Sequence, residues 1–167
     1  MSDSVHLPNE LWLLIIPHCS PADLWRSGRR VNAQLKDCVD QFFEREVLPH
    51  LIVSLPVALP TYDIRNPVRG QAVFHPLSPK TGPEPGRLHV QLAQTEPEHY
   101  RTHFLDRWQG MQQSADAALG QHIRFDVQLA DRTVSMRLPD ARGELVKSTH
   151  DARMSFQWTP AMTAFFL

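Results

Sequence analysis

Ile123-Arg124-Phe125-Asp126-Val127-Gln128-Leu129 followed by Ala130-Asp131-Arg132 and then Thr133-Val134-Ser135-Met136-Arg137-Leu138 is the stretch that decides the fold. Ile123, Phe125, Val127 and Leu129 alternate with polar residues, the period-two pattern of a half-buried strand. Val134, Met136 and Leu138 alternate again after the turn at 130–132, so the pair reads as a β-hairpin. Moving outward, Leu88, Val90 and Leu92 form an earlier strand, and Met154, Phe156 and Trp158 a later one. Segments 71–74 and 48–55 are further candidates, the second broken at its start by Pro49. Met111 to Leu119 reads as a short helix stopped by Gly120. Five to seven antiparallel strands imply a sandwich or a single curved sheet. The terminal Phe165-Phe166-Leu167 is apolar and is expected to dock on that sheet.

Upstream the composition changes. Nine of the fourteen prolines fall between residues 49 and 97, a density that excludes a mostly helical segment. The Pro/Gly-rich run 75–87 reads as a surface loop. Residues 7–48, in contrast, read as helix. Pro8 suits a helix start, and Leu7, Leu11, Leu14 and Ile15 share one helical face. Trp12, Leu13 and Ile16 cover the other faces, and Pro17 ends or distorts the helix. Ser20-Pro21-Ala22-Asp23 is an N-cap, a proline at the first helical position and an acid in the first turn. This second helix runs to about Ser27, with Gly28 as its terminator. A third helix from about Arg30 to Glu46 carries the stripe Val31, Leu35, Cys38 or Val39, and Phe42. The expected architecture is α+β: a helical module over 5–48, then a β-rich domain over 49–167.

A helix that is apolar nearly all round must be buried on more than one side. Three helices in about 40 residues bury too little surface to enclose it. Trp12, Ile16 and Trp25 are therefore expected to leave an apolar patch that the rear domain or another protein covers.

These residues resemble an F-box. The resemblance rests on Leu7-Pro8-Asn9-Glu10-Leu11, Leu14-Ile15-Ile16, Ser20-Pro21-Ala22-Asp23-Leu24, Arg30-Val31-Asn32 and Leu35. It is most similar to F-box proteins of filamentous fungi and covers residues 5–48. The pattern departs at Pro17, inside the first helix, and at the spacing of eight between Asp23 and Val31. Ala33 and Leu35 also stand where the family often has basic and aromatic residues. The resemblance implies a three-helix module that docks on a Skp-type adaptor and, through it, a cullin. The remainder of the chain would recruit a target protein to the ubiquitin ligase. Carried over, the adaptor-binding residues are Leu7, Pro8, Leu11, Trp12, Ile15, Ile16, Leu24, Trp25, Val31 and Leu35, with Leu11, Ile15, Leu24 and Val31 at or beneath the contact. The expected role is non-enzymatic. Two alternatives stand beside it: an F-box-like interaction protein acting outside the ligase, and a small ligand-binding or enzymatic β domain.

Other chemistries find little footing. Net charge is −1 and the charged fraction 21%, which argues against a broadly basic nucleic-acid binder. Residues 21–39 match the outline of a helix-turn-helix with Arg26, Arg29, Arg30 and Lys36, yet residues 1–48 hold five Lys/Arg against seven Asp/Glu. His99 and His103 are spaced to share a helix face, but Tyr100 breaks HExxH and a zinc site needs further ligands. No metal or cofactor is expected. No nucleophile elbow or phosphate loop is present. Cys19 and Cys38 form no framework, which fits an intracellular compartment, and Cys38 reads as a small core residue. The longest apolar run, Leu11–Ile16, is six residues, too short for a membrane span, and Met1–Val5 is not basic as a secretory leader would be.

Overall fold

The computed structural model describes residues 7–58, 69–77, 84–113, 123–146 and 151–167. The chain is α+β, with helices first and a seven-stranded antiparallel sheet after them. It divides into two compact units, Met1–Leu48 with Phe166–Leu167, and Pro49–Phe165.

In the helical unit, α1 spans Asn9–Ile15, α2 Pro21–Arg26 and α3 Ala33–Phe42. Pro8 sits one position earlier than expected, as the N-cap of α1. Pro17 has the anticipated effect: α1 stops at Ile15 and the chain tightens into a 3-10 turn over Ile16–His18. Ser20 holds the N-cap position of α2 without a side-chain capping bond, and Pro21 is its first residue. Gly28 is not the left-handed terminator its sequence position implied. It opens a 3-10 turn over Gly28–Arg30, with Leu24 and Val39 side-chain atoms 3.6 and 3.7 Å from where a Cβ would lie. The third helix starts later than Arg30, because Asn32 caps it: its Oδ1 accepts from the Leu35 amide at 2.7 Å. Val31 therefore lies before α3 and outside its buried stripe, which is Leu35, Cys38 and Val39. The helix then widens into a π turn over Phe43–Val47, which buries Phe43 and Val47, while Phe42 is only half-buried. An aromatic cluster forms the centre of this unit. The Trp25 ring lies 4.7 Å from Phe43, and Phe166 lies 5.9 Å from Phe43 and 6.3 Å from Trp25.

The second unit is one sheet, ordered β5-β4-β1-β2-β3-β7-β6, so the sandwich alternative is set aside. Strands β1 (Ile52–Ala58), β2 (Arg69–Pro76) and β3 (Arg87–Glu96) form a central meander. Hairpins flank it on both sides: β4 (Phe125–Leu129) with β5 (Arg132–Met136), and β6 (Arg142–Val146) with β7 (Asp151–Gln157). The first hairpin is the one read from the alternation, closed by Ala130 in the left-handed region (φ 53°) and Asp131. Pro56 lies beyond the last β1 residue paired to β4, where β1 has a neighbour on one side only and tolerates the missing N–H.

Helices supply the layer that a second sheet would have supplied. α4 (Arg101–Gln113) buries Phe104 and Trp108, whose rings lie 6.2 and 5.5 Å from that of Phe74 on β2. The expected helix at 111–119 overlaps only the end of α4, and its remainder lies outside the described residues. The loop expected over 75–87 is shorter, because β2 continues through Pro76 and β3 begins at Arg87; 78–83 lie outside the described residues. α5 (Trp158–Phe166) replaces the end of the expected last strand. Pro160 falls in its first turn, where a proline costs no hydrogen bond. Trp158, Ala161, Met162 and Phe165 make its buried stripe. Phe165 packs in the sheet unit as anticipated, under the Arg132 guanidinium at 5.1 Å, whereas Phe166 joins the aromatic cluster of the helical unit.

Candidate docking face

Seven residues of α1 carry four large aliphatic side chains, and the fold uses little of them. The inward side is Trp12 and Ile16, one helical turn apart, with Ile16 1% exposed. The outward side is Leu11, Leu14 and Ile15, exposed by 43%, 67% and 45%; Leu13, on a different side of the helix, is also exposed. Val31, after α2, is 65% exposed. All six exposed large aliphatic residues among the described residues thus belong to the helical unit, the sixth being Leu167.

The start of α1 is fixed from α3. The Gln34 side-chain amide donates to the Leu7 carbonyl at 2.7 Å and to Asn9 Oδ1 at 2.6 Å. This bracket holds the exposed face of α1 in one orientation without using any of its apolar atoms.

The ten residues assigned to the adaptor contact by resemblance separate into two groups. Pro8, Leu11, Ile15 and Val31 are exposed, and Leu7 and Trp12 half-buried. Ile16, Leu24, Trp25 and Leu35 are buried within the chain and offer almost no surface. The patch expected from Trp12, Ile16 and Trp25 is therefore displaced. Trp25 is enclosed by Phe43 and Phe166, and the open surface lies one helical step round, at Leu11, Leu14 and Ile15. Leu14 is the most exposed of the large aliphatic residues of α1 and is absent from the family-derived set. Its spacing from Leu11 was the signal that could have added it.

Polar groups nearby are engaged in holding the unit together. Arg29 pairs with Asp40 at 2.7 Å and stacks over Trp25, its guanidinium carbon 4.0 Å from the ring centroid. Lys36 also reaches Asp40, at 2.9 Å, and Arg26 Nε donates to the Phe166 carbonyl at 2.7 Å. Three of the four cations of the helix-turn-helix outline are therefore turned toward the protein's own acceptors, which leaves little basic face for phosphate.

The cysteines differ sharply. Cys38 is buried on α3, and desolvation, reinforced by Asp37 and Glu10, raises its thiol pKa. Cys19 is exposed. Since the thiolate is the reactive form, a thiol reagent is expected to label Cys19 at once and Cys38 only on unfolding. Immediate labelling of both in the native protein would contradict this burial.

In the sheet unit, His99 and His103 lie on either side of Tyr100, at ring distances of 4.4 and 6.4 Å. Among the described residues no group of three or more His, Cys, Asp or Glu is arranged to hold a metal ion. Nor, among them, is any helix long and apolar enough to cross a membrane. Comparison with protein-family models, with curated proteins and with solved structures finds no significant match.

Proposed function

We propose that this protein is a non-enzymatic substrate receptor of a Skp–cullin–F-box ubiquitin ligase. The helical unit docks on a Skp-type adaptor, and through it a cullin, by Pro8, Leu11, Leu14, Ile15 and Val31. The sheet unit holds a target protein. The chain then acts by proximity, raising the local concentration of target beside the ubiquitin-charged enzyme. The observation that carries this reading is the outward face of α1, which keeps Leu11, Leu14 and Ile15 in water while Trp12 and Ile16 turn inward. Folded monomers seldom leave such contiguous apolar surface uncovered unless a partner uses it. The Leu-Pro-x-Glu-Leu opening at residues 7–11 gives that face its likeness to an F-box.

The test is co-expression of the full chain with a fungal Skp-type adaptor, followed by affinity capture and gel filtration. The expected result is an equimolar complex that survives both steps. Adaptor appearing only in the flow-through would overturn the reading.

A further inference from the structure

The sheet unit contains an open polar cleft of about 440 Å³ where the turn before β3, the start of β6 and the start of α5 meet. That volume falls in the range of small-ligand sites. Its frame is an ion pair. Arg87, with its side chain 6% exposed, places its guanidinium on the Asp140 carboxylate. It also donates to the Asp140 carbonyl at 2.7 Å and to the Ser155 carbonyl and hydroxyl at 3.1 and 3.2 Å. Asp140 is fixed in the left-handed region (φ 47°) and accepts a second bond from Arg142 at 3.1 Å. The Arg87 hydrogen bond holds its carboxyl below the usual carboxylate range, so this frame stays ionised.

Arg87 and Asp140 neutralise each other. Two charges of opposite sign are then left on the walls. Arg142 is more than half exposed and contributes only one nitrogen to Asp140. Glu84 is also more than half exposed and reaches Arg87 only at 3.5 Å. The Gln157 amide and the Thr159 hydroxyl, which also line the cleft, have no side-chain hydrogen bond among the described residues. A purely anionic ligand would meet Glu84, and a purely cationic one Arg142.

We propose that this cleft binds a dipolar group, with an anion on Arg142 and a cation on Glu84, oriented by Gln157 and Thr159. That chemistry is present in a free zwitterion and in a peptide segment with neighbouring acidic and basic side chains. The site does not depend on the ligase reading.

The experiment titrates the full chain, followed by NMR, with the blocked peptide Gly-Glu-Lys-Gly and its Glu-Glu and Lys-Lys versions. Free glycylglycine is the zwitterion probe. The mixed-charge peptide is expected to bind at least about tenfold tighter than both like-charged versions, and to weaken as salt rises. Arg142→Glu should remove about tenfold of that affinity, and adding Glu84→Arg to it should restore binding. Both side chains are exposed, so the variants are expected to remain folded, which thermal melts check. Glycylglycine shifting the same resonances with the same variant dependence assigns the site to a small zwitterion; response to the blocked peptide alone assigns it to a chain segment. Equal binding of all three peptides, no effect of Arg142→Glu, or no shift up to about 10 mM ligand would overturn the proposal.

Discussion

Leu11→Asp is expected to abolish capture of a Skp-type adaptor while leaving the protein folded. Leu11 is 43% exposed, so the new carboxylate stays in water in the free chain, and circular dichroism should retain its helical signal. In a complex the same position would be covered. Burying a leucine contributes about 1.5–3 kcal/mol, and an unpaired carboxylate in an apolar contact costs several more. The combined effect is a loss of at least about 100-fold in affinity. Ile15→Asp, on the same face, should do the same. Full binding by either variant in a quantitative pull-down would mean that this side of α1 is not the contact.

The largest expected effect on stability is that of Trp108→Ala. Trp108 is fully buried, its ring 5.5 Å from Phe74 and 5.7 Å from Phe104. Its indole N–H donates to the Glu144 carbonyl on β6 at 3.3 Å. Removing the side chain opens a cavity between α4 and the sheet and deprives β6 of that donor. The cost is about 3–5 kcal/mol, which lowers the melting temperature by about 10–20 °C. Trp108→Phe, which fills most of the volume without the N–H, should lose much less. A melt of Trp108→Ala within a few degrees of the parent would show that α4 contributes little to the core.

The parts of the fold legible in the sequence were those whose pattern matched one simple period. Phe125, Val127, Val134 and Met136 announced the first hairpin, and Pro17 and Pro21 marked two helix boundaries where the structure has them. What escaped had competing signals. Met154, Phe156 and Trp158 continue a strand alternation, so the helical spacing Trp158, Ala161, Met162 and Phe165 was hidden behind it, and Pro160 added to the disguise. Strand β6 pairs with β7 alone, and Arg142-Gly143-Glu144 gave it no alternation to read. In α4, Phe104 and Trp108 are the two buried aromatic residues of a largely polar helix, a weak stripe that tertiary packing completes.

The candidate docking face was half legible. Spacing placed Leu11, Leu14 and Ile15 together, but a helix with apolar residues on all sides does not announce which side its own protein will take. That choice depended on Trp12 and Ile16 being turned inward, which no local pattern encodes. For the same reason Trp25 was assigned to a partner: the residue that encloses it, Phe166, is far away along the chain. The polar cleft left no mark in the sequence, since Glu84, Asp140, Arg142 and Thr159 come from three separated segments.

The bond from Arg26 to the Phe166 carbonyl joins residues 140 positions apart. During synthesis the helical segments leave the ribosome before the sheet does, yet the ring that completes their aromatic cluster is made only after it. A nascent chain therefore carries Trp25 and Phe43 incompletely covered throughout translation of the sheet. During that interval the polypeptide exposes apolar surface of the kind that favours aggregation.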